Sequence, residues 1–326
     1  MEGENDIVDN ILSKVKKDLF ATDLQISLFM SALHNYRHDS LLRPFPAQYL
    51  RENGEKDTNG LKDVASRIPS VKELSQNKQK IPNDVWQLVD WILDGKNVEV
   101  EQSHTASKFK EITRMTEISK NYHTPTHIFE IKYNETLNAK FDELRQDMNI
   151  MYGYHGSRVE NFYSILHNGL HAHLNKTSLF GKGTYLSSDL NVSIPYSKFG
   201  EGWRGSLLGD KLSCVAVCEI IDHPDVKRSV QGPGQRGRSR AENSECGDVP
   251  EKYYVVTNNQ LVRVKYIMVY APHSSYRRHF YQSLWVFQHP FASLVVVYVL
   301  CLILLGLSRS NGFLQFYKRL RNSADQ

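Results

Sequence analysis

Cysteine is scarce in this chain of 326 residues, which has four: Cys214, Cys218, Cys246 and Cys301. Their spacing matches no zinc ribbon or finger, so we expect no structural metal. The first ten residues are acidic and contain no apolar core, so we also expect no signal peptide. Together, these absences favour a reduced body that faces the cytosol.

The chain also lacks an excess of positive charge over most of its length. It has 40 basic and 36 acidic residues, and residues 277–326 hold six of the basic ones and a single acid. Residues 1–276 therefore carry 34 basic and 35 acidic residues, a net charge of −1. A protein that binds nucleic acid generally carries a basic excess on its folded part. We therefore expect no nucleic-acid partner.

Long apolar runs are absent except near the C-terminal end. Residues 291–307 contain no charged side chain, and the apolar character extends back to 284, with Trp285 where an interfacial ring is common. The run predicts one transmembrane helix over 284–307, followed by a short basic tail, 308–326. The alternative is a buried core helix, which normally shows a polar stripe.

The position of this run favours a tail anchor. Only 19 residues follow Leu307, so we expect residues 1–276 to fold in the cytosol before the run enters a membrane. Three Asn-X-Ser/Thr sites would be glycosylated if that body were lumenal: Asn134, Asn175 and Asn191.

Apolar spacing separates a helical first part from a strand-rich second part. Helical periodicity appears at 23–36 and at 85–93, where Asn83 or Asp84 could cap the helix. After Gly95, β-branched and aromatic runs predict strands at 97–101, 128–133, 150–155, 213–221, 253–257 and 261–270, with a helix at 159–168. The pattern predicts an α+β protein with a helical accessory domain, 1–95, and a second domain, 96–276. Residues 227–250, rich in Gly, Arg and Ser, are expected to form a flexible basic loop.

Three separated motifs in the second domain carry the chemistry. They are Tyr-His-Gly-Ser-Arg at 154–158, Phe-Gly-Lys-Gly-Thr-Tyr-Leu at 180–186 with Tyr196 beyond it, and Glu-Lys-Tyr-Tyr-Val-Val at 251–256. Each motif is weak alone, since the Gly-Lys-Gly run lacks other features of a nucleotide P-loop. In this order, with Ile-Leu-x-x-Gly-Leu at 165–170, they resemble the catalytic domain of the poly(ADP-ribose) polymerase family over roughly residues 95–272. With its helical first domain and anchor, the chain is similar to the tail-anchored mono-ADP-ribosyltransferases of that family in the endoplasmic reticulum.

The resemblance implies a split antiparallel sheet and a site for NAD as co-substrate, without a metal. His155 would bond the ribose 2′-hydroxyl, and the Gly156 backbone would hold the nicotinamide amide. Tyr185 and Tyr196 would stack on the two faces of the nicotinamide ring.

The resemblance also implies contacts to the adenosine half of NAD and to the carboxamide of its nicotinamide. Ser157 would face the adenosine ribose, and residues 172–180 would close over that side. Ser193 would bond the carboxamide.

Tyr253 occupies the position where polymerising relatives carry a catalytic glutamate. A tyrosine, with a pKa near ~10, is a poor general base at neutral pH. Glu251 lies two residues earlier, on the same face if the strand is extended, and stays open as an alternative. We expect His155, Tyr185 and Tyr253 to be catalytic. One ADP-ribose would pass from NAD to protein side chains, including the enzyme's own, with release of nicotinamide.

Two other functions remain open at this point. The chain could be a membrane-tethered scaffold that binds NAD without catalysis, or a transferase that modifies nucleic acid. A metal site at His167, His171 and His173 is not expected, because Gly169 interrupts any shared helix. The resemblance places the protein in the endoplasmic reticulum membrane and the nuclear envelope, with its body in the cytosol.

Overall fold

The structure is a computed structural model. It describes residues 2–76, 78–95, 97–116, 124–171, 179–229, 236–240, 244–272 and 298. The transmembrane prediction (apart from residue 298), the basic tail and most of loop 172–180 lie outside these residues. Within the described ranges, no helix is both long and apolar enough to cross a membrane. Met1–Ser275 form one compact unit, and Tyr276–Gln326 form another.

The first part of the chain is helical, as predicted. Its helices are α1 (Glu2–Lys17), α2 (Leu19–His34), α3 (His38–Leu41), α4 (Thr58–Ser66), α5 (Val71–Gln76) and α6 (Asn83–Ile92). Helix α2 begins four residues before the predicted start, because the Asp18 carboxylate accepts a hydrogen bond from the Ala21 N–H. The predicted cap of α6 is wrong. Pro82 occupies the cap position, and Asp84 lies in the first turn, where it pairs with Arg67.

Within the described residues, the second part contains nine strands and five further α-helices. The strands are β1 (Val98–Ser103), β2 (His127–Tyr133), β3 (Ile150–Ser157), β4 (Thr184–Ser187), β5 (Gly200–Glu201), β6 (Lys211–Ile221), β7 (Val226–Arg228), β8 (Tyr253–Val256) and β9 (Val262–Tyr270). The helices are α7 (Thr105–Met115), α8 (Glu135–Arg145), α9 (Phe162–Asn168), α10 (Leu190–Ser193) and α11 (Arg236–Ser239). The six predicted strands correspond to β1, β2, β3, β6, β8 and β9. The start of the predicted basic loop is β7.

All strand pairs are antiparallel, and the order across the sheet is β1-β2-β9-β6-β3-β4-β8-β7, with β5 on β6. Strands β3 and β6 pair over eight residues, whereas β3 and β4 share the single pair Tyr154↔Ser187. Beyond that pair the two strands diverge and split the sheet. The α+β class with an antiparallel sheet is thus confirmed.

The core lies on both faces of β6, which is buried from Leu212 to Ile221. Cys214 and Cys218 belong to the cluster that includes the N-terminal helices, and Val215 belongs to the cluster under α7. The two cysteines are fully buried free thiols, consistent with packing rather than metal ligation.

Hydrogen bonds also tie the N-terminal helices to the strand-rich part. The Asp23 carboxylate in α2 accepts from the Ser206 hydroxyl (2.6 Å) and from the Leu207 and Leu208 N–H groups (3.0 and 3.1 Å). The Asn35 amide donates to Glu160, just after β3 (3.1 Å). The helices are thereby fixed against the segments that precede β6 and follow β3.

Candidate active site

A cavity of about 270 Å³ opens where β3 and β4 diverge. Among the described residues, its lining includes all seven site residues expected from the sequence: His155, Gly156, Ser157, Tyr185, Ser193, Tyr196 and Tyr253. Two larger clefts, of about 750 and 640 Å³, lie along α1, α2 and β1 and beside Arg158 and Trp203. We favour the smaller cavity because a histidine and several aromatic rings from the three motifs converge there, which they do not do in the two larger clefts.

His155 is held in one tautomer by the neighbouring strand. Its Nδ1 lies 2.9 Å from the Tyr185 carbonyl oxygen of β4. A carbonyl can only accept, so Nδ1 carries the proton. Burial lowers the pKa of His155, and the hydrogen bond to Tyr185 offsets this in part. The imidazole is therefore neutral near pH 7, and its Nε2 lone pair can accept a hydrogen bond from a hydroxyl group.

Gly156 is required by close packing at the end of β3. A Cβ atom there would lie 1.9 Å from the Ser193 carbonyl oxygen, so any side chain would push α10 away. The Ser193 hydroxyl donates to the Tyr154 carbonyl (3.0 Å). The hydroxyl proton is thus engaged, and the oxygen remains able to accept from an amide.

Ser157 has a partner that the sequence motifs do not predict. The Asn161 amide donates to the Ser157 hydroxyl over 2.7 Å. The four-residue spacing across the turn after β3 could have suggested this contact. Asn161 thereby fixes the direction of the serine oxygen in the cavity.

The Tyr185 hydroxyl holds the Phe-Gly-Lys-Gly turn. It accepts from the Phe180 N–H (3.0 Å) and donates to the Gly181 carbonyl (2.6 Å). Gly181 has φ +94°, which suits glycine. Tyr185 therefore lines the cavity with its ring while its hydroxyl fixes the turn that brings in Phe180.

Tyr196 and Tyr253 complete the aromatic lining. Tyr196 is 62 % exposed, unusual for a large ring, and its face is available to a ligand. Burial and the nearby Tyr196 hydroxyl both raise the pKa of Tyr253, so that phenol stays protonated at neutral pH. The Phe180 ring lies beside Tyr253, with ring centres 6.4 Å apart. Tyr253 can donate a hydrogen bond here but is a poor base.

Glu251 does not share a strand face with Tyr253, contrary to the expectation from an extended strand. The residue between them, Lys252, has φ +69°, and the Tyr253 N–H bonds the Pro250 carbonyl across a turn. Strand β8 begins only at Tyr253, and Glu251 is exposed outside the cavity. The shared strand face on which the alternative for Glu251 depended is therefore wrong, and Glu251 does not line the cavity.

The histidines near α9 do not assemble a metal site within the described part of the chain. The His171 ring contacts the Asn259 amide, and the His167 ring packs against Tyr163. His173 lies outside the described residues.

Comparison with known proteins gives two family matches. An "ARTD15 N-terminal domain" matches residues 13–93, and the "Poly(ADP-ribose) polymerase catalytic domain" matches residues 106–271. The class defined by the split sheet and its cavity is thus that of a poly(ADP-ribose) polymerase catalytic domain.

Full-length relatives are more specific. Protein mono-ADP-ribosyltransferase PARP16 of Mus musculus is 45 % identical over 310 residues, covering 94 % of this chain and 95 % of the relative. PARP16 of Homo sapiens is 46 % identical over 315 residues, with the same coverage of both chains. Protein mono-ADP-ribosyltransferase PARP8 of Mus musculus is 22 % identical over 253 residues, 63 % of this chain and 28 % of the relative. The chain belongs to the poly(ADP-ribose) polymerase family and is similar to PARP16 along almost its whole length. The predicted family and mono-ADP-ribosyltransferase activity are confirmed.

Proposed function

We propose that this cavity transfers one ADP-ribose unit from NAD to protein side chains, including those of the enzyme itself. The observation that carries the proposal is the convergence of His155, Tyr185 and Tyr253, from three separated motifs, at the split of one antiparallel sheet. A cavity with aromatic rings and a neutral histidine suits a flat, polar heterocycle joined to a ribose.

The proposed pose places nicotinamide between Tyr185 and Tyr196. The Nε2 atom of His155 accepts from the ribose 2′-hydroxyl, and the Gly156 backbone and the Ser193 oxygen bond the carboxamide. Ser157, directed by Asn161, receives the adenosine ribose. These contacts hold the substrate so that the glycosidic bond is exposed to the acceptor.

In the proposed reaction, the bond between the nicotinamide nitrogen and the ribose C1′ breaks, and its electron pair leaves with nicotinamide. An acceptor side chain forms the new bond to C1′, and any proton on that nucleophile passes to solvent or to the acceptor's surroundings. The described residues that line the cavity include no carboxylate. No lining carboxylate is thus placed to activate the hydroxyl of a second ADP-ribose, which supports transfer of a single unit.

The test is self-modification of the full chain with labelled NAD. We expect label on the wild type, as single ADP-ribose units, and a loss of at least about 100-fold in His155→Ala and Tyr185→Ala. Tyr36→Ala is the matched control, because Tyr36 is 86 % exposed. If NAD binds but neither the wild type nor the two variants become labelled, the scaffold function is favoured. Long polymers from the enzyme alone would contradict the proposed product.

We further propose that residues 284–307 anchor the protein in the endoplasmic reticulum membrane and nuclear envelope, with the body in the cytosol. The apolar run supports the membrane span, and the resemblance to tail-anchored relatives supports the cytosolic body. Expression in cells followed by glycosidase treatment provides the test: Asn134, Asn175 and Asn191 should carry no glycan. A shift in mobility on deglycosylation would place the body in the lumen.

A further inference from the structure

Lys252 adopts a backbone conformation that residues with a side chain usually avoid. Its φ of +69° is one of two positive values at non-glycine residues within the described chain, the other being Gln146. It occupies the third position of the turn closed by Tyr253 and Pro250, where glycine is the usual residue. Because this conformation is unfavourable for a lysine, we expect an interaction of its side chain to hold it there.

The side chain of Lys252 reaches a buried carboxylate. Its Nζ lies 3.0 Å from Oδ2 of Asp189, whose side chain is 5 % exposed, against 43 % for Lys252. The other oxygen of Asp189 caps α10 by accepting from the Asn191 N–H (3.1 Å). The Lys252 carbonyl also accepts from the Ser188 N–H (2.8 Å). Two links therefore join the turn before β8 to the segment that begins α10.

These links connect two walls of the cavity. Tyr253 follows Lys252 directly, whereas Ser193 ends α10 and Tyr196 lies one turn further on. All three line the cavity. The raised pKa of Tyr253 reflects in part the proximity of the Tyr196 phenol. A shift of the turn relative to α10 would therefore alter the spacing between the ring proposed to stack on nicotinamide and the hydroxyl nearest the reacting ribose.

We propose that Lys252 and Asp189 are positioning residues whose ion pair sets the distance between Tyr253 and the Ser193–Tyr196 wall during ADP-ribose transfer. The inference rests on the function proposed above. Neither residue lines the cavity, so both act through the residues that do.

The first test compares Lys252→Gly, Lys252→Met and Lys252→Arg in the full chain. Glycine relieves the left-handed turn while removing the ammonium group, so the thermal midpoint should stay close to that of the wild type. We expect kcat of self-modification to fall about tenfold in the Gly and Met variants, whereas the Kd of NAD should change less than about threefold, because a small displacement affects the transition state most. Arginine can still reach Asp189 and should restore at least half of the activity.

The matched control is Lys78→Met, which removes a lysine of similar exposure from an ion pair of similar length, with a partner carboxylate that is exposed rather than buried. Lys78 is 42 % exposed and its Nζ lies 2.8 Å from Asp9, in the N-terminal helical region away from the cavity. Its kcat should equal that of the wild type. Wild-type kcat in Lys252→Gly, or an equal loss in Lys78→Met, would overturn the positioning role. An inactive wild type would refute the proposed function instead.

A second test uses Asp189→Asn, which keeps an oxygen to cap α10 but presents an amide to Lys252. In a double-mutant cycle, the combined Lys252→Met and Asp189→Asn variant should lose about as much kcat as the more damaging single variant, because both disrupt one contact. If the loss of kcat in the double variant equals the product of the two single losses, the two effects are independent and the proposed pair is contradicted.

Discussion

A buried aspartate makes the stability of this protein depend on pH in an unusual direction. Asp23 is fully buried in α2. One of its carboxylate oxygens takes three hydrogen bonds from residues 206–208, and the other, Oδ1, has no hydrogen-bond partner in the described part of the chain. Burial raises the pKa of Asp23 to about 7, although the hydrogen bonds from Ser206, Leu208 and Leu207 oppose the shift. The folded protein therefore holds a proton that the unfolded chain, with an aspartate pKa near ~3.9, releases.

The sign and the size follow from this difference. Between pH 4 and 7 the folded state binds more protons at Asp23 than the unfolded state, so the free energy of unfolding falls as pH rises. Each pH unit contributes about 1.4 kcal/mol, so the loss between pH 5 and pH 7 is roughly 2–3 kcal/mol. Above the folded pKa of about 7 the slope disappears.

The assay is denaturant unfolding of the wild type and of Asp23→Asn at several pH values. Asparagine keeps one oxygen for the three donors but cannot ionise, so its stability relative to the wild type should rise by roughly 2–3 kcal/mol from pH 5 to pH 7. Taking the difference removes contributions of other groups, such as the histidines. Parallel pH curves for the two proteins would refute the reasoning, since they would show that Asp23 ionises alike in both states.

Three further predictions concern the cavity. Tyr185→Phe keeps the ring but loses the hydroxyl that fixes Phe180 and Gly181, so the KM for NAD should rise about 5- to 30-fold with little change in kcat, as steady-state kinetics would show. Because burial lowers the pKa of His155, kcat/KM should be level from pH 7 to 8 and decline only below pH ~6.5; a decline beginning above pH 7 would contradict the neutral imidazole. Gly156→Ala places a methyl 1.9 Å from the Ser193 carbonyl oxygen and should abolish the thermal shift that NAD produces, whereas Gly54→Ala, at an open surface turn, should retain it.

The strands were predictable where the sequence had a continuous apolar or aromatic run. β6 and β9 are such runs, and their predicted and observed bounds differ by at most two residues at either end. The short strand β4 was missed because Thr184–Ser187 follow two glycines and have little length of their own. Its pairing with β8 is a long-range contact, which local patterns do not encode.

The cavity residues were predictable as a set, because the three motifs have a specific order and spacing. Their supporting contacts were not. The Asn161–Ser157 and Lys252–Asp189 contacts depend on turns whose φ angles and side-chain directions emerge only in the folded chain. The error at Glu251 has the same origin: alternation was assumed through a residue, Lys252, whose positive φ interrupts the strand.

The positive φ of Lys252, which interrupts the strand before Tyr253, also bears on the presence of a tyrosine in this cavity where polymerising relatives carry a glutamate. Glu251 is exposed and Asp189 is paired with Lys252, and neither carboxylate is among the described residues that line the cavity. The group that remains, the Tyr253 phenol, has a raised pKa and stays a hydrogen-bond donor. A donor can orient the ribose and the acceptor, but it cannot remove a proton from a second sugar hydroxyl. Under the proposed function, restriction to one ADP-ribose depends on the placement of Glu251 and Lys252 as well as on the tyrosine at position 253.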